Sequence, residues 1–254
     1  MHRLSRSKNI LAIAVAVTIS GTAATPSFAT SFSDSPKLES YTNSADFVFR
    51  GIVEGVQYAL SKPVGPQGTR LPYTFVTFRI GSVMKGMPAG PTVTLRFLGG
   101  MDSRNGSFMT SDQTPLFDVD DDNILFAKRN GDNVNPLVRN KDGRFRVISD
   151  RIYTDDGQEI ILGAGNSIRP GKRHAFEEVL TTRVGDHTMK FQSHGKAEAS
   201  GSPSNAVAVE EFSKAIEETV AQTGDDLSTV YPGEKPNTFG QAPDMTAVAP
   251  PGSR

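Results

Sequence analysis

The sequence predicts a mainly β protein: a small antiparallel barrel, closed or partly open, with a C-terminal helix and a disordered tail. Three observations predict it. Between residues 45 and 162 a series of short runs alternates apolar and polar residues, and no helical period interrupts them. Glycine-bearing turn pairs, Asn130-Gly131 and Asp142-Gly143 among them, separate the later runs. Further on, Val209, Phe212, Ile216 and Val220 recur at helical spacing, and then the pattern stops. Short antiparallel strands in series build a barrel or a sandwich.

Residues 1–29 read as a signal peptide. His2, Arg3, Arg6 and Lys8 give a basic start, residues 10–19 (ILAIAVAVTI) are apolar, and Ser27-Phe28-Ala29 is a small-x-small cleavage site ahead of Thr30. A spanning helix takes about 20 apolar residues, so the run is too short for a permanent anchor. Cleavage removes three of the 27 basic residues and none of the 28 acidic ones. A mature charge of about −4 argues against nucleic acid, which demands a basic face. There is no cysteine, so an exported chain must hold itself by its core, without disulfides. No further long apolar run occurs, and no transmembrane segment is expected after cleavage. The expected location is the periplasm or the medium, in soluble form.

Residues 30–43 form a polar, Ser-rich lead-in. The barrel domain spans 45–162. In its first strand Phe47 and Phe49 oppose Val48, Ile52 and Val56, with Gly51 and Gly55 marking a bulge or bend. A loop with Pro63, Gly65, Pro66 and Gly68 follows. The second strand is the clearest, with Val76, Phe78 and Ile80 alternating with Thr77 and Arg79. In the third, Val93, Leu95 and Phe97 oppose Thr94, Arg96 and Leu98, and Gly99-Gly100 ends it. An acidic stretch leads into Ile124-Leu125-Phe126. Residues 134–138, 145–148 and a hairpin over 152–162, with Asp156-Gly157 at its tip, complete the domain. Residues 163–192 read as an irregular extension, with 175–184 a short helix or a loop. Residues 193–205 are a linker by composition, 206–222 an amphipathic helix and 223–254 a disordered tail.

The strands ADFVFRGIV, YTFVTFRIGSVMKG, TVTLRFLGG, FDVDDDNILFAK and GRFRVI resemble a recurring layout in uncharacterised exported bacterial proteins. In that layout an Arg-Gly strand is followed by a Tyr-Thr-x-Val-Thr strand, a Lys-Gly turn and a Thr-Val-Thr-Leu strand with Gly-Gly. An acidic turn, an Ile-Leu-Phe strand and a Gly-Arg-Phe-Arg-Val strand come next. A closing helix with Glu-Glu-Phe is matched by Glu210, Glu211 and Phe212. The resemblance covers residues 45–148 and that helix, and it is similar to OB-fold or netrin-like barrels of five strands. It implies a fold and names no site. Two departures matter. Ala208 stands where a hydroxyl residue usually caps the helix, and no N-terminal cysteine is present, which rules out metalloprotease inhibition by the netrin-like route.

Asp118, Asp120 and Asp122 place carboxylates at alternate positions, which suits a hard cation such as calcium. An EF-hand loop would need Gly in place of Asn123 and Glu in place of Arg129, and a helix before it. The other reading is a solvated turn. His174, His187 and His194 lack the close, regular spacing of zinc ligands and read as surface residues. Without cysteine or a Gly-x-Ser-x-Gly elbow there is no nucleophile signature. Leu98-Gly99-Gly100-Met101 lacks the Gly-Lys and helix of a phosphate cradle. No catalytic residue and no cofactor are assigned.

Arg50, Arg79 and Arg96, with Arg144 and Arg146, are spaced through the strands beside aromatic residues. On one outward face they would form a ligand-binding strip, since OB-like barrels bind on a sheet face. The competing reading is ordinary polar-out alternation. The sequence therefore predicts an exported, non-catalytic binding or accessory module. Its expected partner is an envelope or extracellular protein. The alternative is a metal-dependent or paired-carboxylate hydrolase using Asp118, Asp120 and Asp122.

Overall fold

The computed structural model describes residues 36–63, 66–102, 104–129, 135–174, 177–184, 187–194, 204–224, 228 and 230–234. The expected signal peptide, most of the linker and most of the expected tail lie outside these. A short helix, α1 (Leu38–Ser44), precedes the long strands β1 (Phe47–Leu60) and β2 (Pro72–Lys85). The two-residue β3 (Met87–Pro88), β4 (Thr92–Leu98), β5 (Gly100–Asp102) and β6 (Ser107–Met109) follow. Next come β7 (Asp122–Ala127), β8 (Arg144–Ile148), β9 (Arg151–Thr154), β10 (Gln158–Leu162) and β11 (Ile168–Arg173). The hairpin β12 (Glu177–Val184) and β13 (His187–His194), helix α2 (Val209–Thr223) and β14 (Val230–Tyr231) complete the chain order.

Eight strands form one antiparallel sheet in the order β11-β10-β9-β8-β7-β1-β2-β4. The chain is mainly β with a C-terminal helix, as expected, but among the described residues no closed barrel forms. β4 and β11 stand at opposite ends of the strand order. The reason lies in the later hairpins: β8 pairs onward with β9, and β10 and β11 lengthen the sheet away from β4.

The open sheet buries a core on each face. One gathers Val48, Ile124, Phe126, Phe145, Ile152 and Ile160 beneath Leu38 and Tyr41 of α1 and Val209, Phe212, Ile216 and Val220 of α2. The other gathers Phe47, Phe49, Val76, Phe78, Leu95, Phe97, Leu125 and the loop residue Phe117. Alternation in β1, β2, β4 and β7 thus feeds both cores, because neighbouring residues point to opposite faces.

One residue of β1 departs from simple alternation. Val53 pairs with Phe78 and Gly55 with Thr77, so Glu54 is an extra residue on β1. This bulge flips the parity, and Val56 packs with the core of Phe47 and Phe49 rather than opposite them.

Three expectations about the flanks are corrected. The lead-in ends in α1, a helix of 7 residues too short to show a period in sequence; Leu38 and Tyr41 are buried, and Lys85 Nζ donates to Thr42 O at 2.8 Å. The irregular extension contains strand: Ile168–Arg173 joins the sheet, and Glu177–Val184 pairs with His187–His194 over eight register pairs. The start of the expected tail is folded, with Tyr231 buried, stacked on Phe47 at 5.2 Å and donating to Lys128 O at 3.0 Å. Helix α2 has no side-chain cap at Ala208, and Val209 N is satisfied by Asp150 O at 3.0 Å instead.

Candidate functional site

Sheet register assembles a row of polar side chains. Asn123 lies opposite Arg146, Arg146 opposite Tyr153, and Tyr153 opposite Glu159. Directly opposed residues share a sheet face, and all four are buried. Arg144, one register step away opposite Leu125, is the hub of the first half. Its Nε donates to Asn123 Oδ1 at 2.7 Å, Nη2 to Asp121 Oδ2 at 2.8 Å, and Nη1 to Asp155 Oδ1 at 2.9 Å and to Leu116 O. The Phe117 ring lies 4.2 Å from the guanidinium. Arg146 Nη2 stands 3.9 Å from Asp121 Oδ1. Burial pushes the Arg146 guanidinium below the usual arginine value, the Arg144 charge adds to this, and Asp121 and Asp155 oppose it. Two cations and two anions thus neutralise one another inside the fold.

Glu159 centres the second half. His174 Nε2 stands 2.8 Å from Oε1, Ser204 Oγ donates to the same oxygen at 3.0 Å, and Lys172 N donates to Oε2 at 3.1 Å. Tyr153 Oη donates to Ser204 Oγ at 3.0 Å. Burial drives the Glu159 carboxyl up, but hydrogen bonds from His174, Ser204 and the Lys172 and Asn205 amides outweigh it, and the group sits below the usual glutamate range. His174 is no surface residue: its side chain is 12 % exposed. The carboxylate lies between Ser204 and His174, which is not the order of a serine nucleophile and its base.

Arg50, Arg79 and Arg96 lie on one sheet face, since Arg50 alternates with Phe49 of the opposite core and Ile52, two residues on, opposes Arg79. Arg50 is bonded to Asp122, with Nη2 2.7 Å from Oδ2. Arg79 pairs with Glu54 of the bulge at 3.1 Å, both half-exposed. Arg96 is 8 % exposed, and its guanidinium lies 5.3 Å from the Tyr73 ring centre. Arg79 and Arg96 do share the face of β2 and β4 opposite the Phe78–Leu95 core, since they alternate with its residues. Asp118 and Asp121 close a turn in which Asp121 N donates to Asp118 O at 3.2 Å and Asp121 Oδ2 accepts from Asp118 N at 3.0 Å. Asp120 has a left-handed backbone, φ 71°. Among the described residues no three His, Asp or Glu side chains converge as a metal set.

A small cleft opens where the far ends of β1 and β2 meet the β5–β6 ribbon and residues 110–117. Tyr58, Thr74, Leu98, Phe108, Met109 and Phe117 line it, and its volume is about 20 Å³. The Tyr58 and Phe108 rings meet edge to face, 5.8 Å between centres. Gly99 and Gly100 make the close approach possible, with φ 110° and 119°. A Cβ on Gly99 would lie 2.8 Å from Met109 O, and one on Gly100 2.5 Å from Thr74 Oγ1. Only glycine serves at both. Burial, and then the Asp118 charge, pushes the Tyr58 hydroxyl up to about 12, so it stays neutral at any ordinary pH. Met109 is 36 % exposed at the rim.

No family model, no curated protein and no solved structure matches the chain. The site residues that sequence reading missed share one property. Glu159, Ser204 and Tyr58 are unremarkable in local pattern, and only strand register and chain return bring them to their partners. The one available signal for the cleft was the Gly99-Gly100 pair, which marks a close backbone approach.

Proposed function

We propose that the chain is an exported, non-catalytic binding module of the bacterial envelope or extracellular space. It takes an extended polypeptide segment of a partner protein at the cleft beside Tyr58 and Phe108. The observation that carries this reading is the contrast between the cleft and the buried ionisable groups. Asp121, Asp155 and Glu159 each accept hydrogen bonds from inside the fold, so they act as structural partners. The cleft instead offers an apolar wall, the neutral Tyr58 hydroxyl with a few Thr and Ser side chains beside it, and the exposed Met109, and among the described residues no acidic or basic side chain lines it. A cavity of about 20 Å³ has room for about one water. It suits the tip of one apolar side chain, with the remaining segment lying over β6. Aromatic and methionine side chains are the residue types enriched where proteins meet.

The layout that resembles OB-fold or netrin-like proteins supports a binding role on the same terms, since such folds bind through sheet faces and rim loops. A photo-cross-linking residue at Met109, carried by the mature chain in its own envelope extract, tests the reading. One cross-linked polypeptide, lost in Tyr58→Ala and Phe108→Ala, is the expected result. Loss only in Arg79→Glu with Arg96→Glu would move the site to the arginine face. A melting temperature raised by calcium or zinc, and abolished in Asp118→Asn with Asp120→Asn, would favour the hydrolase alternative, because a ligand bound only by the native state stabilises it.

A further inference from the structure

Glu159 gathers two points of the chain that are far apart in sequence. His174 is where the chain leaves β11 toward the β12–β13 hairpin, and Ser204 and Asn205 are where it comes back. All three donate to the one carboxylate, which is 2 % exposed. A Cβ on Gly171 would lie 2.8 Å from Glu159 Oε2, so β11 fits tightly over the carboxylate.

The returning segment then enters the sheet. β9 and β10 meet at the single register pair Tyr153–Glu159, and beyond it residues 206–208 fill the gap between them. Ile152 N donates to Val207 O at 3.1 Å, Val207 N to Ile160 O at 2.8 Å, and Arg151 Nη1 to Ala206 O at 3.0 Å. Ser204 Oγ orders the entry: it accepts from Tyr153 Oη and from Ala206 N and donates to Glu159. The carboxylate therefore holds together the root of the hairpin and the wedge that completes the seam.

We infer that Glu159 is an acid-sensitive latch: ionised, it locks residues 204–207 into the β9–β10 seam, and protonated, it frees that seam and the root of the β12–β13 hairpin. A carboxylate accepts at both oxygens, whereas a protonated carboxyl gives up acceptor capacity and gains a donor. The donors from His174, Ser204, Lys172 and Asn205 can then no longer all be matched. The charged and titratable groups around it are Tyr153 on β9, Arg146 next in register on β8, and Lys172, Arg173 and His174 at β11. Arg173 is engaged by Asp156 of the β9–β10 turn. The returning residues 204–207 carry no charge. The surroundings favour the anion. Because the folded carboxyl sits below its ordinary value, the latch is fully engaged above about pH 4.3, the unperturbed glutamate value. It opens as pH falls from there through the folded pKa.

Amide hydrogen exchange on the mature chain between pH 3 and 7, corrected for intrinsic rates, tests this. Protection at Lys172 and Val207 is expected to fall about tenfold or more across the acidic step while Val48 and Phe126 stay protected, as a local opening requires. Ser204→Ala removes one donor and should raise the midpoint, and Glu159→Gln should show the open seam at neutral pH. Val207 protection that falls only together with Phe126, or a midpoint unmoved in Ser204→Ala, would overturn the latch. Ser204→Ala keeps the test decisive should Glu159→Gln fail to fold.

Discussion

Arg50 and Asp122, which the sequence offers to two different sites, are bonded to each other. Arg50 on β1 donates Nη2 to Asp122 Oδ2 at 2.7 Å and Nε to Oδ1 at 3.1 Å, next to the Arg50–Ile124 register pair. The hydrogen bonds it donates to Asp122 hold the Arg50 guanidinium above its usual value against the opposing pull of burial. The pair closes a charge on each side of the β1–β7 seam.

Its energetic weight is small, because the side chains are 31 % and 21 % exposed. Arg50→Gln and Asp122→Asn should each lower stability by about 1 kcal/mol or less, with a coupling of similar size in the double mutant. Urea unfolding measures both. Strict additivity would mean the pair is not formed in solution.

Arg144 is the opposite case. Its side chain is 3 % exposed and those of its partners Asp121 and Asp155 are 7 % and 15 % exposed. Arg144→Met strands the buried Asp121 and the mostly covered Asp155 carboxylates and should cost about 3–5 kcal/mol in urea unfolding. Arg144→Lys should recover little, because an ammonium cannot reproduce the guanidinium fork to Asn123, Asp121 and Asp155. Near-wild-type stability of the lysine variant would contradict the network.

Two glycines should separate sharply. Gly100→Ala places a Cβ 2.5 Å from Thr74 Oγ1 and 2.7 Å from Tyr58 Cδ1 at φ 119°. A loss of at least about 1–3 kcal/mol is expected from the backbone alone. A Cβ at Gly55 meets nothing within 4 Å, so Gly55→Ala should change stability by under about 1 kcal/mol, in the stabilising direction. Thermal unfolding of the two variants side by side checks the contrast.

The alkaline limb belongs in part to Tyr58. Its folded value of about 12 lies above the ordinary tyrosine value of 10.0, so its contribution is fully present below pH 10 and is lost as pH rises through 12. Burial also raises Tyr231 and Tyr41, so a spectrophotometric titration should show late tyrosinate absorbance that loses one group's share in Tyr58→Phe. If every tyrosine in the wild type titrated near 10, Tyr58 would not be buried as described.

Much of the strand layout was legible because each face of the sheet is buried and alternation is then enforced. Val76, Phe78 and Ile80 against Thr77 and Arg79, and the α2 stripe of Val209, Phe212, Ile216 and Val220, follow their periods into the two cores. Closure was not legible. Five strands of the right pattern suit a barrel, but whether β8 turns back to meet β4 or pairs onward to β9 depends on long-range contacts that no local period records. Glu54 hid the fate of Val56 for a related reason, since a bulge changes parity without changing composition. Arg50, Arg79 and Arg96 do fall on one sheet face, as alternation suggests, but that Asp122 and Glu54 reach Arg50 and Arg79 depends on register, which no local period records. Glu159, His174 and Ser204 were unreadable as a set: 45 residues separate the outer two, and only the chain's return to the seam joins them.

The measurement that tests the binding account most directly is affinity capture from envelope extract with the mature chain, beside Tyr58→Ala, Phe108→Ala and the Arg79→Glu, Arg96→Glu double variant. A single stoichiometric polypeptide that is retained by the wild type and the arginine variant, and lost from both cleft variants, is the predicted result. Equal retention by the wild type and both cleft variants would contradict the account and remove the cleft from the binding surface.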